Sequence, residues 1–420
     1  MISVGIEDMN VFAGNAYVDV TELATHRDLD TKRFNNLLMK EKTVVLPYED
    51  PITFGVSAAK PIIDNLNEDE KNRIEMVITC TESAFDFGKS MSTYFHDLLG
   101  LDRNCRLFEL KNACYSGSAG LQMASSFITS QLSPGAKALV IATDISRFTV
   151  AEGGDALTEE WSFAEPTGGS GAVAMLVSDK PYIFMLDQGA NGYYGYEVMD
   201  TCRPLPESEA GDTDLSLLSY LDCCENSFKE YSKRVEDVDY SSTFQFLSFH
   251  TPFGGMVKGA HRNMMRKFKK SNPNEIEKDF ERRVYPGLIY CQKVGNIMGA
   301  SSALSLSSTI DNASFETPQR IGCFSYGSGC CSEFFSGIVT SEGQNRLRKF
   351  NIMEKLNKRY QLNMEEYDSI IANSNTVKLG TRNIVLDDTF VENARYALNG
   401  TPRLFLKEIK EYHRSYEWLS

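Results

Sequence analysis

Cys114 stands in the run Lys111-Asn112-Ala113-Cys114-Tyr115-Ser116-Gly117, and a helical pattern follows it over 116–131. A cysteine at the start of a helix faces unpaired backbone N–H groups and the positive end of the helix dipole, both of which favour thiolate. The same N–H groups can hold the oxygen of a thioester. Cysteine also serves as a small buried apolar residue at strand–helix junctions, so composition alone does not single out one of ten. Glu82, in Thr79-Cys80-Thr81-Glu82-Ser83, lies where an apolar run ends. A carboxylate emerging from a buried strand is placed to remove a proton, though a solvated loop glutamate has the same pattern.

His250 is the one histidine of five that ends a strongly apolar run, Phe246-Leu247-Ser248-Phe249, before the turn Thr251-Pro252-Phe253-Gly254-Gly255. An imidazole there can polarise a carbonyl or carry a proton, or simply be a hydrogen-bonded core residue. Asn296, in Val294-Gly295-Asn296-Ile297-Met298-Gly299, can donate amide hydrogen bonds to a carbonyl or act as a turn residue. The run Cys323-Phe324-Ser325-Tyr326-Gly327-Ser328-Gly329 allows close backbone approach, with the Ser328 N–H a candidate oxyanion donor. It lacks the Lys-Ser/Thr ending of a phosphate loop, and Gly168-Gly169-Ser170-Gly171 precedes a strand, which speaks against a dinucleotide fingerprint.

The elements that must position these residues read as α/β. Apolar, β-branched runs at 76–81, 138–143, 171–177, 244–249, 320–326 and 333–340 predict buried strands. Helical stretches fall at 90–99, 116–131, 215–233, 261–270 and 343–361, while 203–213 and 270–274 read as loops. The order strand, helix, strand, glycine turn, strand occurs twice, with a seam at 178–181. This pattern predicts a first half over 1–178 carrying Glu82 and Cys114 and a second over 179–420 carrying His250 and Asn296.

The bulk numbers bound the rest. With 420 residues and a formal net charge of -14, the chain can bury a large core and repels nucleic acid. No apolar run reaches the length of a membrane span, no signal peptide pattern opens the chain, and no C-x-x-C pair suggests a metal. The expectation is a cytoplasmic protein with reduced, mostly buried thiols, no bound metal and no membrane or nucleic-acid partner.

In this order and context the motifs Thr81-Glu82-Ser83, Ala113-Cys114-Tyr115-Ser116-Gly117, Phe249-His250-Thr251-Pro252-Phe253, Gly295-Asn296 and Ser325-Tyr326-Gly327-Ser328-Gly329 resemble the 3-hydroxy-3-methylglutaryl (HMG) synthase family of the thiolase superfamily. The resemblance covers about 5–336. It implies Glu82 as general acid/base, Cys114 as nucleophile and His250 for carbonyl polarisation or proton transfer. Asp144, in Ala142-Thr143-Asp144-Ile145-Ser146-Arg147-Phe148, matches a further active-site acid, and Asn296, Ser328 and Tyr326 fall at substrate or oxyanion positions.

Together with Pro47-Tyr48-Glu49-Asp50-Pro51 and Phe54-Gly55-Val56, the Asp144 segment resembles the polyketide β-branching branch more than the mevalonate one. That branch adds acetyl from a donor acyl carrier protein to the β-ketone of a polyketide on an acceptor carrier protein. The resemblance further implies a thiolase-like five-layered αβαβα fold of two similar halves and a homodimer. Substrates would be carried as phosphopantetheine thioesters, with no tightly bound cofactor. Carrier proteins are acidic, so an acidic enzyme needs a local basic footprint. Lys258, Arg262, Arg266 and Lys269–Lys270 fall at helical spacing near His261, and Arg33 is a second candidate. The rivals are a primary-metabolism HMG-CoA synthase, a ketoacyl synthase and a non-catalytic carrier-binding partner.

Overall fold

A computed structural model of the chain describes residues 2–146, 164–205, 208–387, 389 and 392–419. Arg147 and Phe148 lie outside the described residues, as does the side chain of Arg33. The strands follow in chain order as β1 (Gly5–Phe12), β2 (Ala16–Asp19), β3 (Glu41–Val44), β4 (Ile74–Cys80), β5 (Arg106–Leu110), β6 (Lys137–Asp144) and β7 (Gly171–Ser178). After these come β8 (Phe184–Gly195), β9 (Thr201–Leu205), β10 (Ser208–Gly211), β11 (Phe246–Phe249), β12 (Gln319–Gly327) and β13 (Cys331–Val339).

Nine strands pair in the order β11-β12-β13-β8-β1-β7-β6-β4-β5. The pairing is mixed: β5, β4 and β6 run parallel, as do β11 and β12, and the remaining neighbours are antiparallel. β6 and β7 are buried at every position, which is why they read as unbroken apolar runs rather than alternating ones. The predicted seam falls between β7 and β8, which flank β1 on either side. β1 and β8 pair only at Gly5↔Met185 and Ile6↔Phe184, so a narrow join links the two blocks of strands.

Helices cover both blocks. Ser116–Ser130 packs on β4, β6 and β7, Ser301–Asn312 packs on β11, β12 and β1, and these two helices touch one another. One mostly aliphatic core fills the first block and reaches β12 and β13 through Ile321 and Phe335, and an aromatic-rich core built on Phe228, Tyr231, Tyr240, Phe244 and Phe334 lies in the second. Residues from the far end of the chain return to its start, where Tyr360–Gln361 pairs with β2 in a separate three-stranded sheet that also holds β3.

Three segments differ from the sequence reading. The helix expected over 343–361 is two helices, Ser341–Arg348 and Ile352–Asn357, because Asn351 adopts a left-handed conformation that ends the first. The expected 261–270 helix starts earlier, at Gly254, and its Met265–Lys269 end is π-helical. The glycines that suggested a turn instead allow helix and backbone to touch: a Cβ on Gly255 would lie 2.0 Å from the Asn36 carbonyl oxygen. Within the expected loop 203–213, β9 and β10 form an antiparallel hairpin.

Candidate functional site

β4 ends at Cys80, and the chain turns through Thr81-Glu82-Ser83 against the end of β6. Asp144, the last residue of β6, fixes that turn. One of its oxygens accepts from Thr81 Oγ1 (2.9 Å), the Glu82 N–H (2.8 Å), the Ser83 N–H (3.1 Å) and Ser83 Oγ (2.9 Å). The other accepts from the Gly299 N–H at 3.0 Å, tying in the turn that follows Asn296. Burial pushes the Asp144 carboxyl up, and these donors act against that rise.

The nucleophile loop is set from two sides. Ala113 takes a left-handed φ of 44°, and Cys114 precedes the helix Ser116–Ser130. Gly327, at the end of β12, lies so close that a Cβ there would sit 2.7 Å from the Tyr115 nitrogen and 2.8 Å from the Asn112 oxygen. The Tyr115 hydroxyl donates to buried Glu333 at 2.7 Å, and Asn191 donates to the other Glu333 oxygen. Burial pushes the Glu333 carboxyl up to about 7.

None of the ten cysteines is in a disulfide. Burial pushes the thiols of Cys105 and Cys291 up to about 11 and about 12, and raises those of Cys80, Cys224 and Cys323. Cys114 differs from these in lining a cavity at a helix start.

That cavity, about 470 Å³, brings together Glu82, Cys114, His250, Asn296, Tyr326 and Ser328. His250 leaves β11 with its N–H bonded to Phe324 O (2.7 Å) and its carbonyl accepting from Tyr220 Oη (2.7 Å). Its ring is 1% exposed, and Nδ1 has no protein hydrogen-bond partner. Desolvation pushes its pKa down to about 3, so the imidazole is neutral at physiological pH. It therefore offers hydrogen bonding and not a positive charge to the cavity that it shares with Cys114.

Asn296 is held by a backbone exchange with the Thr167–Gly169 turn: its N–H donates to Thr167 O (2.7 Å), and its carbonyl accepts from the Gly169 N–H (2.8 Å). Its side-chain oxygen accepts from the Met298 N–H (3.0 Å) and Ser301 Oγ (2.8 Å). Asn296 lines the cavity with its oxygen already engaged, so the group it has to offer there is the amide nitrogen, a double donor.

Two residues expected at substrate positions are engaged elsewhere. Asp144 is fully buried, is spent on backbone and hydroxyl donors, and does not line the cavity. The Tyr326 ring lines it, but its hydroxyl donates to buried Asp200 at 2.5 Å.

The basic footprint is less regular than its spacing suggested. His261 is buried against Asp279 and Tyr240, and Lys258 pairs with Glu277 at 2.5 Å. The π-helical turn breaks the helical register after Met264, while Arg262, Arg266, Lys269 and Lys270 are exposed.

Sequence reasoning missed Arg203, Asp200 and Glu333. Arg203 sits in a stretch that reads as an acidic loop, yet it lines the cavity and pairs with Glu82 at 3.4 Å. Asp200 and Glu333 carry no motif of their own, and Glu333 could have been found only as a charge inside an apolar strand pattern. No described helix is long and apolar enough to cross a membrane.

Comparison with known proteins matches this geometry to a family. The family model described as hydroxymethylglutaryl-coenzyme A synthase N terminal matches residues 2–181, and the corresponding C-terminal model matches 265–418. The chain is 66% identical over 420 residues to the polyketide biosynthesis 3-hydroxy-3-methylglutaryl-ACP synthase PksG of Bacillus subtilis (strain 168), covering 100% of both chains. It is 33% identical over 410 residues to the hydroxymethylglutaryl-CoA synthase of Enterococcus faecalis, covering 96% of this chain and 100% of that one. The crystal structure of the curacin biosynthetic pathway HMG synthase in complex with acetyl donor-ACP superposes with a TM-score of 0.96 at 62% identity, covering 99% of this chain and 100% of that one.

Proposed function

This chain belongs to the hydroxymethylglutaryl-coenzyme A synthase family, and from that premise we propose how its cavity carries out an HMG-type condensation in polyketide β-branching. The protein is a condensing acyltransferase that acts with an acetyl donor acyl carrier protein. We assign the acceptor as a polyketide β-ketone on a second carrier protein, with both acyl groups held as phosphopantetheine thioesters and no tightly bound cofactor.

Cys114 attacks the donor thioester and takes the acetyl group, releasing the carrier thiol. Free cysteine titrates near 8.5, so the helix start is what raises the thiolate fraction. Glu82 then removes a proton from the acetyl methyl group. The C–H electron pair forms the enolate double bond, and the carbonyl electrons move onto oxygen, where the N–H groups of Cys114 and Ser328 are the candidate donors. The enolate carbon attacks the acceptor ketone. Neutral His250 polarises that ketone and relays to the alkoxide the proton that Glu82 took up, which returns Glu82 to its carboxylate form, while the Asn296 amide holds the acceptor thioester carbonyl. Water hydrolyses the Cys114 thioester, freeing the thiol and leaving a carboxylate on the product.

The convergence of Glu82, Cys114 and His250 on one cavity supports this reading. We further read the two strand blocks, with the helices Ser116–Ser130 and Ser301–Asn312 between them, as a five-layered αβαβα body of halves 1–178 and 179–420. We assign it as a cytoplasmic homodimer. Intact-protein mass spectrometry after mixing with acetylated carrier protein or with acetyl-CoA tests the function. An acetyl adduct that forms faster from the carrier and is lost in Cys114→Ser is expected. Preference for acetyl-CoA would point to a primary-metabolism enzyme, and no adduct from either would point to a non-catalytic carrier-binding protein.

A further inference from the structure

Arg203 is the sole Lys or Arg among the described residues that line the cavity, and it pairs with Glu82. Both side chains are 18% exposed, so water screens the pair only partly. Arg203 stands on β9, and Asp200, buried just before that strand, holds its root. Asp200 accepts from Tyr326 Oη (2.5 Å) and the Gly329 N–H (2.8 Å), and its carbonyl accepts from the Asp212 N–H (2.9 Å). The arm bearing Arg203 is thereby fixed to the end of β12, the same segment whose Gly327 abuts the nucleophile loop.

Resting on the assignment of Glu82 as the base, we propose that Arg203 is a positioning residue that keeps the Glu82 carboxylate ionised and aimed at the acetyl-Cys114 methyl group. Among the described residues, the other ionisable groups that line the cavity bring no second cation. Asp214, from the start of the helix Thr213–Arg234, is a like charge, and His250, from the end of β11, is neutral. Cys114, Cys202 and Tyr326 bring no positive charge, and Asp144, a further acid, accepts from the Glu82 backbone N–H. An acid confined among these groups is driven toward its protonated form, which cannot accept the methyl proton. Arg203 reverses that drive without itself taking part in the transfer. The proton passes to Glu82, the negative charge moves to the enolate oxygen, and the guanidinium stays charged throughout.

The test is deuterium uptake into the methyl group of acetyl-Cys114 in deuterated water, read by mass spectrometry from about pH 5 to about pH 9. Acetylated carrier protein loads the enzyme. Exchange is scored per acetyl-Cys114 formed, and Arg203→Gln is expected to show the midpoint of its exchange profile moved up by about one pH unit or more. At the acidic end exchange then falls about tenfold. Arg203→Lys keeps a cation and is expected to restore most of the parent profile. If Arg203→Gln fails to load because it does not fold, Arg203→Met takes its place.

A profile unmoved by either neutral variant, while Glu82→Gln abolishes exchange, overturns the role of Arg203 and leaves Glu82 as base. So does a Lys variant displaced as far as the neutral ones. Undiminished exchange in Glu82→Gln removes the base assignment itself, and the role of Arg203 with it.

Discussion

The two walls of the cavity are built differently. The first block contributes groups that ionise: Glu82 on a turn fixed by four hydrogen bonds to Asp144, and Cys114 at a helix start. The second block contributes neutral donors: an imidazole held uncharged by burial, an amide oriented through its oxygen, and the glycine-flanked turn carrying Ser328. An enolate condensation asks for this division. The donor half-reaction needs a thiolate and a carboxylate, and the acceptor half-reaction needs a polarised ketone beside a basic carbanion. A cationic imidazole would be a ready acid in that position and would quench the carbanion. Arg203 and Asp214 are the exceptions, and Arg203 is the charge of the second block that pairs with the first.

The largest expected effect comes from breaking the first wall. Glu82→Gln should still take up acetyl on Cys114, yet lose condensation by about two to four orders of magnitude, and lose methyl deuterium exchange equally. Single-turnover kinetics with mass detection separates the steps. Normal condensation in this variant would remove the division of labour between the walls.

Breaking the second wall should leave both acetylation and methyl exchange intact. His250→Gln is expected to lower condensation about 100-fold or more, with exchange near that of the parent. Equal loss of exchange and condensation would put His250 on the donor side. The same variant carries a pH signature. The unfolded chain binds a proton on this histidine near its ordinary 6.5, and the folded protein refuses it down to about 3. His250 therefore subtracts stability progressively as pH falls through that window and contributes no slope above it. In denaturant melts, the stability of the parent relative to His250→Gln should decline from pH 7 toward pH 4.

How far each wall could be read from the sequence follows the same line. Chemistry that sits where an apolar run stops was legible: Glu82 after β4, His250 after β11, and Cys114 before a helix of small residues. The strands themselves were legible because burial on both faces leaves unbroken apolar runs, as in β6 and β7. Residues whose role is to hold others were not legible. Asp200 and Glu333 act through partners more than a hundred residues away, Tyr326 and Tyr115, and no local pattern records that separation. Arg203 looked like part of a solvated acidic stretch because hairpin pairing and burial against the cavity are tertiary facts. The basic footprint is less regular than its spacing for a related reason. Helical spacing put Lys258, Arg262, Arg266 and Lys269–Lys270 on one face, but the π-helical turn shifts the register of everything after Met264, and the neighbouring His261 turns inward to Asp279.

Asp144 sharpens the contrast, because it supports the first wall without facing the cavity. Asp144→Asn replaces one acceptor oxygen with an amine that cannot accept from the surrounding donors. A loss of about 2–4 kcal/mol in stability is expected, read from denaturant midpoints. Exchange should fall about 10- to 100-fold as Glu82 loses its aim, with Cys114 loading reduced far less. Loading and exchange that fall together would mean the Asp144 cluster supports the whole cavity and not one wall of it.

The smallest effect belongs outside the cavity. Arg262 and Arg266 are exposed, whereas Lys258 and Lys267 are paired with Glu277 and Glu225. A surface cation gains little energy from any one contact, but it steers an acidic partner whose charge acts over about a Debye length. Arg266→Glu should weaken loading from acetylated carrier protein by about three- to tenfold at low salt, and by less as salt is raised. Loading from a small acetyl thioester, which carries no acidic surface, should be unchanged. If both donors lose equally, Arg266 acts on the fold of the π-helical turn and not on the carrier. The footprint would then have to be sought nearer Arg33 or Arg262.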